Sequence, residues 1–316
     1  MTRYFLQRLW HGIILLLLIS VLCFGLFQFA PSNYVDALRL DPRVSTQTVA
    51  LLRAHYDLDR PLPWRYLAWL KSALTGEFGF SFAYHMPVGK LLWPRARNTL
   101  LVTAPSVFLA WPVALLLGVT AAITGRAGLR RLVLFWMSIL VSLPELLVAL
   151  VLLMLALNAG WFAIAGNTNS TDRLAAPRVI HLVLTVSALV LVSLPVLVRH
   201  TEAAVREAWH SPFVQAARAH GIGRRRLVLA YVFPAAANPL ISLFGLSIGT
   251  LLSGSLVVEV VMSWPGLGPL ALDAVLSRDI PVVMATTLLS GALFILGNLI
   301  ADLCLYVLDP RIRNLR

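Results

Sequence analysis

The chain has 316 residues, of which 59% are hydrophobic and only 13% are charged. A soluble domain carries about twice that charged fraction, so the composition excludes an ordinary soluble protein and indicates a membrane protein. The formal net charge of +12 would suggest nucleic-acid binding in a soluble protein. Here the basic residues flank apolar runs and no basic patch is interleaved with aromatic residues, so we do not expect nucleic acid as a partner.

Apolar runs of membrane-spanning length follow one another along the chain, at 9–30, 98–123, 132–157, 178–200, 234–258 and 284–308. About 20 helical residues cross the hydrocarbon core, and backbone groups in lipid must pair internally. The sequence therefore predicts an all-α membrane protein with about six transmembrane helices. The first run follows Arg3 and Arg8 as in a signal peptide, but its length and the lack of a small-residue cleavage site predict a retained helix.

The arginine distribution predicts the orientation of these helices. Arginines cluster in the N-terminal tail, in the second and fourth loops and in the C-terminal tail, whereas the loops at 158–177 and 259–283 hold only Arg173 and Arg278. Positive loops stay in the cytoplasm, so both termini are predicted to lie inside, N-in and C-in. The expected regions are a tail and first helix at 1–30, an extracytoplasmic loop at 31–97, a core of five helices at 98–310 with a cytoplasmic loop at 201–233, and a cytoplasmic tail at 311–316.

The long first loop contains a segment with helical periodicity. In Pro63–Leu74 the apolar residues Trp64, Leu67, Leu70 and Leu74 fall near one face. We expect a short amphipathic helix at the outer surface of the membrane.

The segment 211–234, which covers most of the fourth loop, has the signals of two short helices joined by a glycine. Ser211 and Pro212 predict a helix start, with the serine side chain as cap. Gly221 predicts the end of that helix, and 224–231 is a second helical stretch that leads into the next span. Such an elbow presents a short rigid helix to a cytoplasmic partner; an ordinary arginine-rich loop is the alternative.

The same segment resembles the characteristic cytoplasmic loop of binding-protein-dependent ABC importer permeases. Their pattern is Glu-Ala-Ala, three residues, Gly, nine residues, and then Ile-x-Leu-Pro. This chain has Gln215, Ala216 and Ala217, then Gly221, and nine residues later a Tyr-Val-Phe stretch before Pro234. The resemblance implies that these five residues couple the chain to an ATPase, with small side chains at both alanines allowing close approach. Gln215 replaces the acidic residue and removes one charge from that contact.

Other segments resemble the dipeptide, oligopeptide and nickel branch of these permeases. They are the start MTRYFLQRLW, the loop segment at 57–82, SWPGLG at 263–268 and the ending DPRIR at 309–313. The resemblance covers nearly the whole chain and implies a type I ABC importer permease-like fold in the bacterial inner membrane. It implies as partners a second homologous permease subunit, cytoplasmic ATP-binding subunits and an extracytoplasmic solute-binding protein. ATP and magnesium are expected on the partner ATPase, with no cofactor in this chain.

Acidic residues within apolar runs are candidates for the translocation path. Glu145 follows Pro144 in the third run, where a central carboxylate costs about 2.5–3.5 kcal/mol on insertion. It either lines the path and meets a substrate amino group or is packed and hydrogen-bonded. Glu259, at the outer end of the fifth run, is expected to meet a docking partner or line the outer mouth. Asp302 is interpreted as structural.

The last external loop contains Trp264, Pro265, Gly266 and Gly268, a run that is expected not to continue a helix. A turn at the membrane interface, where Trp is favoured, is one interpretation. A contribution to the external gate or to docking is the other.

Motifs for chemistry are not found in the sequence. Gly89 and Lys90 are not part of a phosphate-binding loop, no cluster has metal-ligand spacing and no nucleophile motif stands out, so we expect neither catalytic nor metal residues. An ion-driven secondary transporter would need more intramembrane charges and paired broken helices. A membrane enzyme would need convergent catalytic residues. The solute is left open between peptides, nickel and other small solutes, as is whether the second pore subunit is a different chain.

Overall fold

A computed structural model describes residues 2–28, 61–159 and 175–308. This part of the chain is helical apart from one antiparallel hairpin, in which Phe80 pairs with Pro87 and Ser81 with Met86. In chain order the elements are α1 Thr2–Gln28, α2 Leu62–Leu74, β1 Phe80–Ser81, β2 Met86–Pro87, α3 Val88–Ile123, α4 Ala127–Ser142, α5 Glu145–Asn158, α6 Ala175–Trp209, α7 Pro212–Ala219, α8 Arg224–Leu227, a π-helical turn Val228–Val232, α9 Phe233–Val261, α10 Leu267–Leu276 and α11 Ile280–Leu308.

The predicted all-α membrane fold with about six spans is confirmed. Within the described residues, five helices are long and apolar enough to cross a membrane, namely α1, α3, α6, the continuous stretch Arg224–Val261 and α11. The bent pair of α4 and α5 gives a sixth span when it is counted as one. The tail at 311–316 and most of the loop at 31–97 lie outside the described residues.

Several helices extend beyond the predicted runs, and α3 and α6 do so by the largest margins. Helix α3 begins at Val88 rather than at 98, and α6 continues to Trp209, so the first nine residues of the predicted loop at 201–233 are helical. In that extension Thr201, Glu202 and Val205 are buried. Packing of these side chains accounts for a helix that continues past the apolar run, since tertiary contacts override local composition.

The third run was expected to form one span, and the structure shows that it is not one straight helix. It breaks between α4 and α5, whose axes differ by 99°. Pro144 has no N–H to continue the ladder and disfavours helical geometry at the residue before it, and Leu143 is extended with ψ 126°. The N–H of Leu143 donates to the Leu140 carbonyl at 3.3 Å, which closes α4 before the turn.

The chain folds into two compact units, of which the second contains 100–264 and 293–316. In its core the buried Trp111 donates from Nε1 to Ser247 Oγ at 2.9 Å, and its ring meets Phe244 edge-on at 5.4 Å. Small residues let helices approach closely: a Cβ at Gly118 would lie 2.7 Å from Thr201 Cβ. Such small-residue packing is the usual way in which helices associate in a membrane.

The first unit contains 1–99 and 265–292. Its helices α1 and α2 meet where Ser20 Oγ and Tyr66 OH are hydrogen-bonded at 2.7 Å. The hairpin is held by the turn between α10 and α11, because the buried Asp279 accepts from Ser81 Oγ at 2.6 Å and from the Ala83 N–H at 3.0 Å. One buried carboxylate thus fixes the connection that leads into α3.

Candidate functional site

The predicted elbow of the fourth loop is present as the short helix α7. Pro212 occupies its first turn and Ser211 the N-cap position, as expected. The serine side chain does not cap α7, however: its hydroxyl donates back to the Ala208 carbonyl at 2.6 Å. The hydroxyl therefore secures the last turn of α6, and the direction of α7 is set by the backbone geometry of Ser211 and by the proline.

The other end of α7 is closed by a Schellman motif at Gly221, which confirms the predicted helix end. The Gly221 N–H donates to the Arg218 carbonyl at 3.0 Å, and the Ile222 N–H to the Ala217 carbonyl at 3.4 Å. Gly221 has φ +77°, in the left-handed region. Residues with a Cβ are strained there, so glycine is the residue that makes this turn without a conformational penalty.

The two faces of α7 differ in a way that the sequence did not indicate. Val214 and Ala217 are buried in the core of the second unit, with 1% and 8% exposure. Gln215 and Ala216 are exposed, and the Gln215 amide donates to the His210 carbonyl at 2.9 Å. Of the two alanines expected to meet a partner, only Ala216 is thus available on the surface of this chain.

Two contacts fix the elbow to neighbouring helices. The Arg218 guanidinium lies over the Trp209 ring, 5.7 Å from its centroid. Arg224 Nη2 donates to the Ile123 carbonyl at 2.8 Å, at the C-terminal end of α3. A cation at that end also complements the helix dipole. The segment on both sides of Gly221 is therefore held against the body of the second unit.

Pro234 explains the π-helical turn that joins the elbow to α9. A proline has no N–H to give to the carbonyl four residues earlier, so the ladder widens locally. The Phe233 N–H accordingly donates to Val228, five residues back. Pro234 is exposed in the first turn of α9 and sets the register between elbow and span.

An ion pair around the buried Glu202 of α6 was not predicted from the sequence. The Glu202 side chain is 8% exposed, and its Oε1 accepts from Arg130 Nε at 2.8 Å. Arg206 Nη1, one turn further along α6, lies 3.6 Å from the same oxygen. The pair joins the start of α4 to α6. The sequence did contain one signal for this contact, because Glu202 precedes Arg206 by four positions, the spacing of an ion pair on one helix face.

Glu145 lies at the break between α4 and α5. It is the first residue of α5, where the helix dipole favours a carboxylate, and its side chain is half-buried. A Cβ at Gly254 of α9 would lie 3.1 Å from Glu145 Oε2. The glycine therefore makes room for the carboxylate against the α9 backbone, and a role on the translocation path stays a prediction.

Glu259 and Trp264 are buried inside the second unit, and their roles in docking or at the outer mouth stay predictions. Glu259 is fully buried and Trp264 is 8% exposed. A second Schellman motif ends α9, because the Trp264 N–H donates to the Glu259 carbonyl at 2.8 Å and Ser263 adopts φ +54°. His181 donates to the Met262 carbonyl at 2.5 Å and meets the Trp264 ring edge-on. These contacts give the loop a fixed shape.

The rest of this loop belongs to the first unit. The Pro265 carbonyl accepts from Asn98 Nδ2 at 2.8 Å, and the Leu267 N–H donates to Thr99 Oγ1 at 2.9 Å. The expected helix break is confirmed up to Gly266. The expectation was wrong for Gly268, which lies buried in the first turn of α10 because the Thr99 hydroxyl takes the place of a helix cap.

Tyr84 forms a polar contact in the hairpin that no sequence pattern had indicated. Its hydroxyl donates to Asp273 Oδ2 at 3.2 Å, and its N–H donates to Ser81 Oγ at 3.0 Å. Burial, and then the Asp273 carboxylate, raise the pKa of the Tyr84 phenol above 10.0. The hairpin is therefore tied both to helix α10, through Asp273, and to the turn that follows it, through Asp279.

Comparison with known families and proteins gives matches along nearly the whole chain. The family profile described as "Binding-protein-dependent transport system inner membrane component" matches residues 114–314. The profile for the N-terminal part of such membrane components matches residues 1–100. The oligopeptide transport system permease protein AppB of Bacillus subtilis is 33% identical over 315 residues, 99% of each chain. The glutathione transport system permease protein GsiC of Salmonella paratyphi A is 32% identical over 316 residues, again 99% of each.

A solved structure has a similar fold. The inward-facing MetNI methionine ABC transporter contains a chain that aligns with a TM-score of 0.52 at 21% identity, over 69% of this chain and 96% of that chain. At this identity the likeness concerns the fold alone, and it confirms the importer-permease type of architecture expected from the motifs.

Proposed function

Because the chain belongs to the family of binding-protein-dependent transport system inner membrane components, we propose that it forms one transmembrane half of an ATP-driven importer of peptides. The cargo rests on the relatives, which are named as oligopeptide and glutathione permeases. Nickel or another small solute is the alternative within the same class. As a transmembrane component of a transport system, the chain is a permease subunit rather than an enzyme.

The partners follow from this class of transporter. A second homologous permease subunit would complete the pore, and cytoplasmic subunits would bind ATP and magnesium and hydrolyse ATP. An extracytoplasmic solute-binding protein would deliver the peptide. The membrane is the bacterial inner membrane, with the described spans crossing it.

The observation that best supports a coupling role is the geometry of α7. It is a two-turn helix with an exposed face at Gln215 and Ala216, a buried face at Ala217 and a fixed turn at Gly221. Arg224 ties the following segment to the end of α3. A movement of the exposed face would therefore be transmitted to α3, α6 and α9, because the backbone geometry is fixed at both ends of α7.

The test compares three variants, each of which replaces one alanine with arginine. Ala216→Arg adds a bulky charge to the exposed face, so we expect loss of ATPase co-purification and of solute-stimulated ATP hydrolysis in reconstituted complexes. Ala203→Arg, at an exposed site of α6 outside the elbow, is the matched control and should retain both. Ala217→Arg should instead reduce the yield of folded subunit, because it buries a charge in the core.

The outcome separates coupling from packing. Wild-type ATPase stimulation in Ala216→Arg would remove α7 from the mechanism. Uptake by reconstituted vesicles that follows an ion gradient and does not require ATP would overturn the importer assignment itself.

A further inference from the structure

Helix α2 presents two unlike faces. Its inner face meets α1, through the Tyr66–Ser20 hydrogen bond and an edge-on contact between the Tyr66 and Phe24 rings at 5.5 Å. Helix α1 is a candidate membrane span over Leu6–Leu26 and has few buried residues of its own. Helix α2 is thereby fastened to a candidate membrane span whose own side chains are largely exposed on this chain.

The outer face of α2 is an exposed apolar stripe with one cation. Trp64, Leu67 and Leu74 are 67%, 53% and 82% exposed. Lys71 falls between them at helical spacing, so the four side chains share one face. An open groove of about 440 Å³ runs along this stripe and is lined by Pro61, Trp64, Leu67, Ala68 and Lys71.

The charge of α2 fits an anionic surface. The helix contains Arg65 and Lys71 and no acidic residue. Helices that lie in the headgroup region combine an apolar stripe with Trp and with lysines whose stems cover apolar surface while the ammonium stays at the phosphates.

The depth of α2 agrees with this location. Ser20 lies six residues before the end of the span Leu6–Leu26, which is about 9 Å along the helix at a rise of 1.5 Å per residue. Interfacial helices bury their apolar face by about 5–10 Å into the boundary between headgroups and acyl chains. Tyr66, which bonds Ser20, therefore holds α2 at the level where its stripe meets that boundary.

We propose that α2 is a lipid-binding interfacial anchor of the first unit. Its Trp64, Leu67 and Leu74 side chains insert at the headgroup boundary of the leaflet at the C-terminal end of α1. Lys71 binds the phosphate of an anionic phospholipid whose upper acyl chain occupies the groove. The proposal concerns the lipid contact alone and is independent of cargo and of ATP coupling.

The experiment places an environment-sensitive fluorophore on the stripe. Cys23 and Cys304 are replaced by Ala, and Leu67→Cys or Trp64→Cys is labelled with NBD in the full chain reconstituted in phosphatidylcholine–phosphatidylglycerol vesicles. Glu77→Cys, exposed beyond the end of α2, is the matched control. We expect NBD at both stripe positions to be quenched by lipids with a nitroxide high on the acyl chain, and NBD at Glu77→Cys to be quenched by aqueous iodide instead.

The lipid class is tested with nitroxide-labelled phosphatidylglycerol against labelled phosphatidylcholine. One lysine near an anionic surface contributes about 1 kcal/mol, so the anionic lipid should be enriched about fivefold at Leu67→Cys. Adding Lys71→Gln should remove that preference and leave acyl quenching unchanged. Iodide quenching at both stripe positions would overturn the proposal. So would protection from both quenchers that requires the solute-binding protein, since the stripe would then be a protein interface.

Discussion

The ion pair that joins α4 to the buried Glu202 of α6 allows a quantitative prediction. Glu202→Gln keeps the shape of the side chain and an acceptor oxygen but removes the charge that faces Arg130 and Arg206. Breaking a fully buried pair costs about 3–5 kcal/mol. Here only Glu202 is buried, at 8%, while the two arginines are 36% and 44% exposed and are partly screened by water. A hydrogen bond to a charged group contributes about 1.5–3 kcal/mol. Because water screens the exposed arginines, we expect a smaller loss of about 1–2 kcal/mol.

The assay is the free energy of unfolding of the purified subunit, combined with a double-mutant cycle. Glu202→Gln and Arg130→Gln should each destabilise, and the double variant should cost less than their sum by about 1–2 kcal/mol because the pair is lost only once. Glu207→Gln, an exposed carboxylate on the same helix, is the control and should stay within about 0.5 kcal/mol of wild type.

Additive effects of Glu202→Gln and Arg130→Gln would refute this reasoning, since they would mean that the contact at 2.8 Å contributes no coupling energy. A Glu202→Gln variant as stable as Glu207→Gln would do the same. If the ion pair also transmits movement from the elbow to α4, Glu202→Gln should reduce solute-stimulated ATP hydrolysis in the complex even when the variant is stable.

Three further predictions concern single backbone or side-chain positions. Gly221→Val places a β-branched residue at φ +77°, a strain of about 1–2 kcal/mol, and should increase hydrogen exchange of the Ile222 amide; unchanged protection would argue against the Schellman turn. Ser263→Gly relieves the left-handed conformation and should stabilise by about 0.5 kcal/mol, whereas Ser277→Gly, at a right-handed position, should not; equal melting temperatures would contradict this. The Tyr84 pKa is raised in the folded state, so its stabilising contribution is complete below the unfolded value and is lost as the pH rises through the folded one. In a pH titration followed by phenolate absorbance, Tyr84→Phe should remove a tyrosine whose pKa is above the ordinary value. If the tyrosine that disappears has an ordinary pKa, the burial of Tyr84 is refuted.

Much of the fold follows from local composition. Long apolar runs predict the spans because lipid leaves the backbone few alternatives, and Pro212 and Gly221 predict both ends of α7 because each acts on its own backbone. The α4–α5 break was missed since Pro144 lies in a run that is apolar on both sides, and prolines are often tolerated within spans.

The features that the sequence did not reveal depend on packing between distant segments. Ala216 and Ala217 are the same residue type in the same helix, and only the packing of the second unit decides which one is exposed. Glu202 and Arg130 are 72 positions apart. Hydrophobic periodicity describes neighbouring turns of one helix, so it cannot predict a contact between residues so far apart in the chain. It did predict the position of the amphipathic helix α2.

The sharp bend between α4 and α5 has a consequence for the turnover of the protein in the cell. Leu143, Leu146 and Leu147 around it are 42%, 49% and 42% exposed, while Pro144 interrupts the backbone ladder at a depth where lipid offers no hydrogen bonds. Such a break persists when protein or trapped water covers it, so we expect a newly inserted copy to remain vulnerable until another chain closes over this side. Copies made in excess of that chain would be removed by membrane proteolysis, and the supply of the partner would then set the amount of this subunit that the membrane holds.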